Sequence, residues 1–224
     1  MKNRFLLLFA LLLPCLAANA QGYFCEKAGA KLEYVRNYPD NGKFRWRHIL
    51  EIGEIEITPD YRKVTTTSAF LKQNGKNLYD DVREHVLIDR NNDVWTDMGE
   101  AVASYIKSRI GLNMSWDGIL TSLPSDAQPG DTLQPVVAHA TLGPIRYTVK
   151  SYDRRVLREE TISVPAGTFR CIVVREERTE SGPGHNRKVM TVTWYSKGVG
   201  YIRHDTYVKD KLETSEILHS MKSE

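Results

Sequence analysis

Short runs of alternating apolar and polar residues, broken by turn residues, dominate the chain from residue 31 onward. A period of two marks half-buried strands, because successive side chains of an extended chain point to opposite faces. Residues 31–38 form the first such run. Pro39-Asp40-Asn41-Gly42 follows, a hairpin signal because Asn-Gly accepts the positive φ of a tight turn. Within 43–57, Phe44, Trp46, His48, Leu50 and Ile52 share one face, with Arg45, Arg47 and Glu51 opposite. At Gly53 the phase flips to Ile55 and Ile57, which predicts a β-bulge there. Strand patterns recur at 61–71, 77–89, 94–96, 132–138, 145–151, 156–164, 169–177, 187–195, 199–208 and 212–219. Asn74-Gly75, Asn91-Asn92-Asp93, Ser181-Gly182-Pro183-Gly184 and Lys197-Gly198 punctuate them.

One segment has another period. Over 98–112, Ala101, Val102, Tyr105, Ile106, Arg109 and Ile110 recur at steps of three and four, the signature of an amphipathic helix. Thr96 or Asp97 can cap its start and Gly111 can close its end. Its apolar stripe suits it to cover one face or the mouth of the sheet. The fold class predicted is mainly β: a single strongly curved antiparallel sheet, or partly closed barrel, of about ten strands with one amphipathic helix. Strand starts every 8–12 residues or so require antiparallel pairing, because parallel pairing needs long crossovers.

The N-terminus follows different rules. Met1 to Arg4 is short and basic, residues 5–17 are nearly all apolar, and Ala18-Asn19-Ala20 places small residues before Gln21. This is the layout of a secretory signal peptide over residues 1–20, leaving 21–224 as a single β-rich domain. The rival reading is a lipid anchor at Cys15, against which Pro14 stands in place of a small residue. The apolar run is shorter than the ~20 residues of a spanning helix, and no other run reaches that length, so no transmembrane span is expected in the mature chain. The location predicted is exported, either periplasmic or extracellular.

Export changes the charge and cysteine arguments. The 224 residues carry a formal charge of +3, but Lys2 and Arg4 lie in the leader, so 31 basic residues become 29 against 28 acidic ones. No concentrated basic stripe is left to support nucleic-acid binding. The leader also removes one of three cysteines. Cys25 and Cys171 are then an even pair in an oxidising compartment, where a disulfide is expected. It would close a loop of about 146 residues, worth about 5 kcal/mol in chain entropy. The alternative is two free thiols, with Cys171 a small core residue.

Motifs that carry chemistry are missing: GxSxG, HExxH, P-loop and GxGxxG do not occur. His48, His85, His139, His185, His204 and His219 are widely scattered, and Asp80, Asp81, Glu84, Asp89 and Asp93 lack the alternation and glycine of a calcium loop. No catalytic residue, metal ligand or cofactor is assigned. The aromatic residues are more informative. Trp46, Trp95, Tyr105, Trp116 and Trp194 either pack the core or line a hollow between the curved sheet and the helix, where a lipid-like ligand fits.

The C-terminal third adds a string, Val164-Pro165-Ala166-Gly167-Thr168-Phe169-Arg170-Cys171, then Trp194-Tyr195-Ser196-Lys197-Gly198-Val199-Gly200, then a hairpin at Lys209-Asp210-Lys211. It resembles the TapB-like exported proteins of Bacteroidetes, a family of uncharacterised function. Cys25 and Pro129-Gly130-Asp131-Thr132-Leu133 extend the similarity upstream. The resemblance implies a β-rich envelope protein, related in shape to half-barrels that carry lipid or lipoprotein, and brings no catalytic residues. The function expected is an exported non-enzymatic binding module for a lipid-like or amphipathic ligand. The alternatives are an envelope interaction module docking a partner protein, or a hydrolase assembled in three dimensions around His139 or His204.

Overall fold

A computed structural model describes residues 21–223. The predicted signal peptide and the alternative anchor at Cys15 lie outside the described residues. Five strands come first: β1 (Lys31–Tyr38), β2 (Lys43–Ile57), β3 (Tyr61–Leu71), β4 (Val82–Asp89) and β5 (Val94–Thr96). The helix α1 (Met98–Ile110) follows, then the short strands β6 (Ser115–Gly118), β7 (Thr121–Leu123) and β8 (Thr132–Leu133). The rest are β9 (Val136–Leu142), β10 (Ile145–Val164), β11 (Gly167–Gly182), β12 (His185–Ser196), β13 (Gly200–Val208) and β14 (Lys211–Lys222).

All fourteen strands belong to one antiparallel sheet, ordered β6-β9-β10-β11-β12-β13-β14-β1-β2-β3-β4-β5-β7, with β8 on β10. The strand number therefore exceeds the predicted ten or so, and the sheet is open, since its end strands β6 and β7 do not pair. Residues 132–138, read as one strand, divide around Pro135, which has no N–H for the ladder. Residues 145–151 and 156–164, read as two, are one strand that bends where Asp153 takes φ 48° and the register slips between Tyr152 and Arg155. At Gly53 the expected bulge is present: the β2–β3 register shifts between Ile52 and Ile55. A Cβ on Gly53 would stand 3.1 Å from the Thr65 carbonyl oxygen.

The sheet curls. α1 packs against β4 and also against β9 and β6, which lie nine and ten strands away in the hydrogen-bonding order. Flat, that path would stretch over about 40 Å at the usual spacing, far wider than a helix. Opposite ends also meet at β7: Leu123 packs with Leu133, Val156 and Ile172, and Arg154 of β10 donates to the Ser122 carbonyl at 3.3 Å. Strand ends that do not pair are thus joined by side chains and by the helix.

Most of the core lies on the inner face, where Leu32, Tyr34, Ile52, Val64, Ile88, Ile202 and Leu218 are fully buried. Cys25 and Cys171 join the same cluster, and both are free. The expected disulfide is corrected accordingly. Each sulfur occupies its own place as a small apolar group, and burial pushes the Cys171 thiol up to about 11. An even cysteine count in an oxidising compartment says nothing about whether two Cβ atoms meet at bonding distance.

Candidate functional site

α1 starts where Asp97 caps it, its Oδ1 accepting from the N–H of Gly99 at 2.8 Å and of Glu100 at 3.1 Å. It ends where Gly111, at φ 72°, returns an N–H to the Lys107 carbonyl. Glu100 then fixes it to β4 by accepting from His85 N–H at 3.2 Å and from the His85 ring at 2.6 Å. Held this way, α1 spans the concave face and leaves a solvent-connected hollow of roughly 900 Å³ beneath it.

Roof and floor differ. Ala101, Val102, Tyr105 and Ile106 of α1 form the roof, and the aromatic rings of Trp46, Phe70 and Tyr79 continue it down one wall. The floor is polar. Across five neighbouring strands, Thr193, His204, Glu216, Arg36 and Trp46 stand directly opposite one another in register. Cross-strand partners on one face have Cβ atoms only ~5 Å apart, so the row joins into two bonded groups, Arg36–Glu216–Trp46 and His204–Thr193. Arg36 donates to Glu216 Oε2 at 2.9 Å, Trp46 Nε1 donates to Oε1 at 3.0 Å, and the His204 ring bonds Thr193 Oγ1 at 2.9 Å. In the next row His48 bonds Tyr201 OH and Ser68 Oγ, both at 3.0 Å, and stacks on Phe70 at 4.5 Å.

Burial sets the charge states. It would raise the Glu216 carboxyl, but the charge and hydrogen bond of Arg36, together with His48 and His204, hold the group below its ordinary value. His204 has no carboxylate in direct contact, so burial, reinforced by Arg36, drops it to about 3. His48 is lowered by burial as well. Glu84, enclosed beneath α1 and facing Glu100, rises to about 7 through burial first and that like charge second. Near neutral pH the floor is therefore one matched ion pair among neutral hydrogen-bonding groups.

Of the aromatic residues singled out by sequence, Trp46 and Tyr105 line the hollow and the other three do not. Trp95 on β5 donates to Asp89 Oδ2 at 3.1 Å. Trp116, 49% exposed, lies on the edge strand β6 and reaches Asp97 at 3.3 Å. Trp194, 6% exposed, is packed in the core cluster with its Nε1 on Glu160 at 3.0 Å. His139 bonds Thr148 at 2.9 Å, away from the floor, whereas His204 is part of it. Sequence reasoning missed Arg36, Tyr201 and Glu216. A signal for His48 was present, since it shares the apolar face of Trp46 and Leu50.

Four hydroxyls bond histidines, Ser68 and Tyr201 on His48, Thr148 on His139 and Thr193 on His204, and the two aliphatic ones nearest the floor are poorly placed as nucleophiles. Ser68 bonds His48 but is buried outside the walls of the hollow, and Glu216 is 3.9 Å from the other ring nitrogen, which Tyr201 occupies. The Thr193 hydroxyl bonds a histidine with a depressed pKa, a weak base. Among the described residues no three His, Cys, Asp or Glu side chains converge as a metal-binding group, and no helix is long and apolar enough to cross a membrane.

Two solved structures share the fold. A candidate exported protein with a YmcC-like fold from Bacteroides fragilis aligns at a TM-score of 0.73 and 21% identity, covering 91% of this chain and 100% of its own. A candidate lipoprotein from Parabacteroides distasonis aligns at 0.74 and 17% identity, covering 90% and 99%. No curated protein matches the chain significantly. The DUF3108-like family matches residues 27–218, which is most of the sequence, and the chain belongs to that family.

Proposed function

We propose that the chain is an exported, non-enzymatic binding module of the cell envelope whose hollow takes a lipid-like or amphipathic ligand. The observation that carries this reading is the contrast inside one cavity of roughly 900 Å³: an apolar helical roof against a hydrogen-bonding floor. Ligand sites typically have about this volume and this mixture of apolar surface with a few placed polar groups. Trp46 and Tyr105 are the aromatic contacts; Trp95, Trp116 and Trp194 serve the scaffold. The domain over residues 21–224 follows a signal peptide over residues 1–20. Both solved neighbours carry names of exported or lipid-anchored proteins, which supports an envelope location. The TapB-like string at residues 164–171 and 194–200 is a narrower reading of the family.

The test is organic extraction of the purified protein followed by mass spectrometry, beside an Ala101→Trp variant that fills the hollow. The wild type should release one class of amphiphile at near-stoichiometric amount and the variant none. Absence of any amphiphile from the wild type, with one envelope protein recovered on it, would favour the interaction module instead.

A further inference from the structure

The arginines around the hollow fall into two groups. Arg36 is matched by Glu216 at 2.9 Å, Arg178 by Glu180 at 3.0 Å, and Arg187 by Glu213. Arg45 and Arg109 also line the hollow, and among the described residues neither has a carboxylate within ion-pair distance. Their partners are aromatic. The Arg45 guanidinium lies 4.3 Å from the Trp46 ring centre, and that of Arg109 lies 5.6 Å from Tyr105 and 6.0 Å from Tyr79. These rings are linked through Phe70: Trp46 to Phe70 is 5.9 Å, Phe70 to Tyr79 5.2 Å and Tyr79 to Tyr105 5.5 Å. One apolar ladder thus carries an unmatched cation at each end.

The floor points the same way. Thr191 Oγ1, on a side chain only 3% exposed, and Arg36 Nε both line the hollow and have no protein partner. Of the buried carboxyls lining the hollow, Glu216 already receives Arg36 on one oxygen and Trp46 on the other, and Glu84, raised to about 7, is a protonated donor below that pH. What the hollow still offers is donors and positive charge. Charge-assisted bonds from arginine to carboxylate or phosphate are about twice as strong as neutral ones.

We infer that the occupant is an anionic amphiphile, with its carboxylate or phosphate on one of the two arginines that end the ladder, Arg45 or Arg109, and its chain along the Trp46–Phe70–Tyr79–Tyr105 rings. This rests on the reading of the hollow as a ligand site. A cationic head group would meet an unmatched arginine at either end of the ladder, and a neutral one would leave both unneutralised.

Calorimetric titration of the purified full chain tests it, with dodecyl phosphate, dodecyltrimethylammonium, dodecanol and inorganic phosphate as probes. Dodecyl phosphate should bind tightest, and Arg45→Gln/Arg109→Gln should weaken it by at least about tenfold while leaving dodecanol unchanged. Arg45→Lys/Arg109→Lys should keep most of the affinity, and Arg146→Gln, outside the hollow, should keep all of it. Binding of all three dodecyl compounds with equal affinity would overturn the anionic assignment and spare the hollow. Inorganic phosphate binding as tightly as dodecyl phosphate would overturn the amphiphile. Failure of every dodecyl compound would remove the ligand site itself.

Discussion

Along β1, β13 and β14 the buried side chains change character within a few residues. At one end Leu32, Ile202 and Leu218 are packed with no exposure at all. Further along the same strands, at every second position, stand Arg36, His204 with Thr206, and Glu216 with Thr214. The register makes this a boundary across the sheet, since Tyr34 opposes Leu218 while Arg36 opposes Glu216. The first half has no room left and is held by packing. The second half has the helix standing off it and is held by partnered charges. A sheet that needed only stability would continue the leucines and isoleucines, because buried ion pairs are seldom worth more than the apolar residues that could replace them. The polar half is where stability has been exchanged for chemistry.

The sharpest way to break that comparison is to remove one charge. Glu216→Leu strands a buried Arg36 and should destabilise by about 3–5 kcal/mol in urea titration, whereas Arg36→Met/Glu216→Leu should recover most of the loss. In the dry half Leu218→Ala should lose about 2–5 kcal/mol through its cavity, and no change of a charged partner should restore it. Near-equal stability of Glu216→Leu and the wild type would show that the row is solvated and not a buried floor.

A pH series separates two opposed groups of the polar half. The folded protein keeps a proton on Glu84 that the unfolded chain releases between pH 4.5 and about 7, so stability falls as pH rises through that window. The effect amounts to at most about 3 kcal/mol, less whatever solvent screens. His204 acts the other way: unfolded chains bind its proton between pH 6.5 and about 3 while the folded state refuses it, so stability falls as pH drops. Glu84→Gln should therefore be more stable than the wild type at neutral pH, with stability rising steadily from pH 4.5 to 6.5. An unchanged pH profile would mean that Glu84 is not enclosed by α1.

Smaller effects test the frame. Asp97→Ala should lower stability by about 1 kcal/mol and loosen α1, read as faster amide exchange over 98–110. Cys25→Ser should melt at the same offset from wild type with and without reductant; an offset that vanishes on reduction would restore the disulfide.

Much of the scaffold was legible from local pattern. The limits of β1, β2, β3 and β5, the Gly53 bulge, the helix and its Asp97 and Gly111 ends are written in neighbouring residues. What failed was either too short to show a period, as in β6, β7 and β8, or hidden by a bend, as in β10 at Asp153. The polar floor was illegible for a different reason. Arg36 and Glu216 are 180 positions apart and meet only because β14 returns beside β1. Each alone reads as an ordinary strand charge. Trp194 illustrates the converse error: aromatic content does not reveal which rings face a hollow and which fill a core.

Tryptophan quenching by a chain-brominated fatty acid tests the central claim most directly, because it reports which ring the bound chain touches. Saturable quenching should occur in the wild type, persist in Trp194→Phe and disappear in Trp46→Phe. Quenching that survives Trp46→Phe undiminished would place any ligand elsewhere and contradict the assignment of the hollow as the binding site.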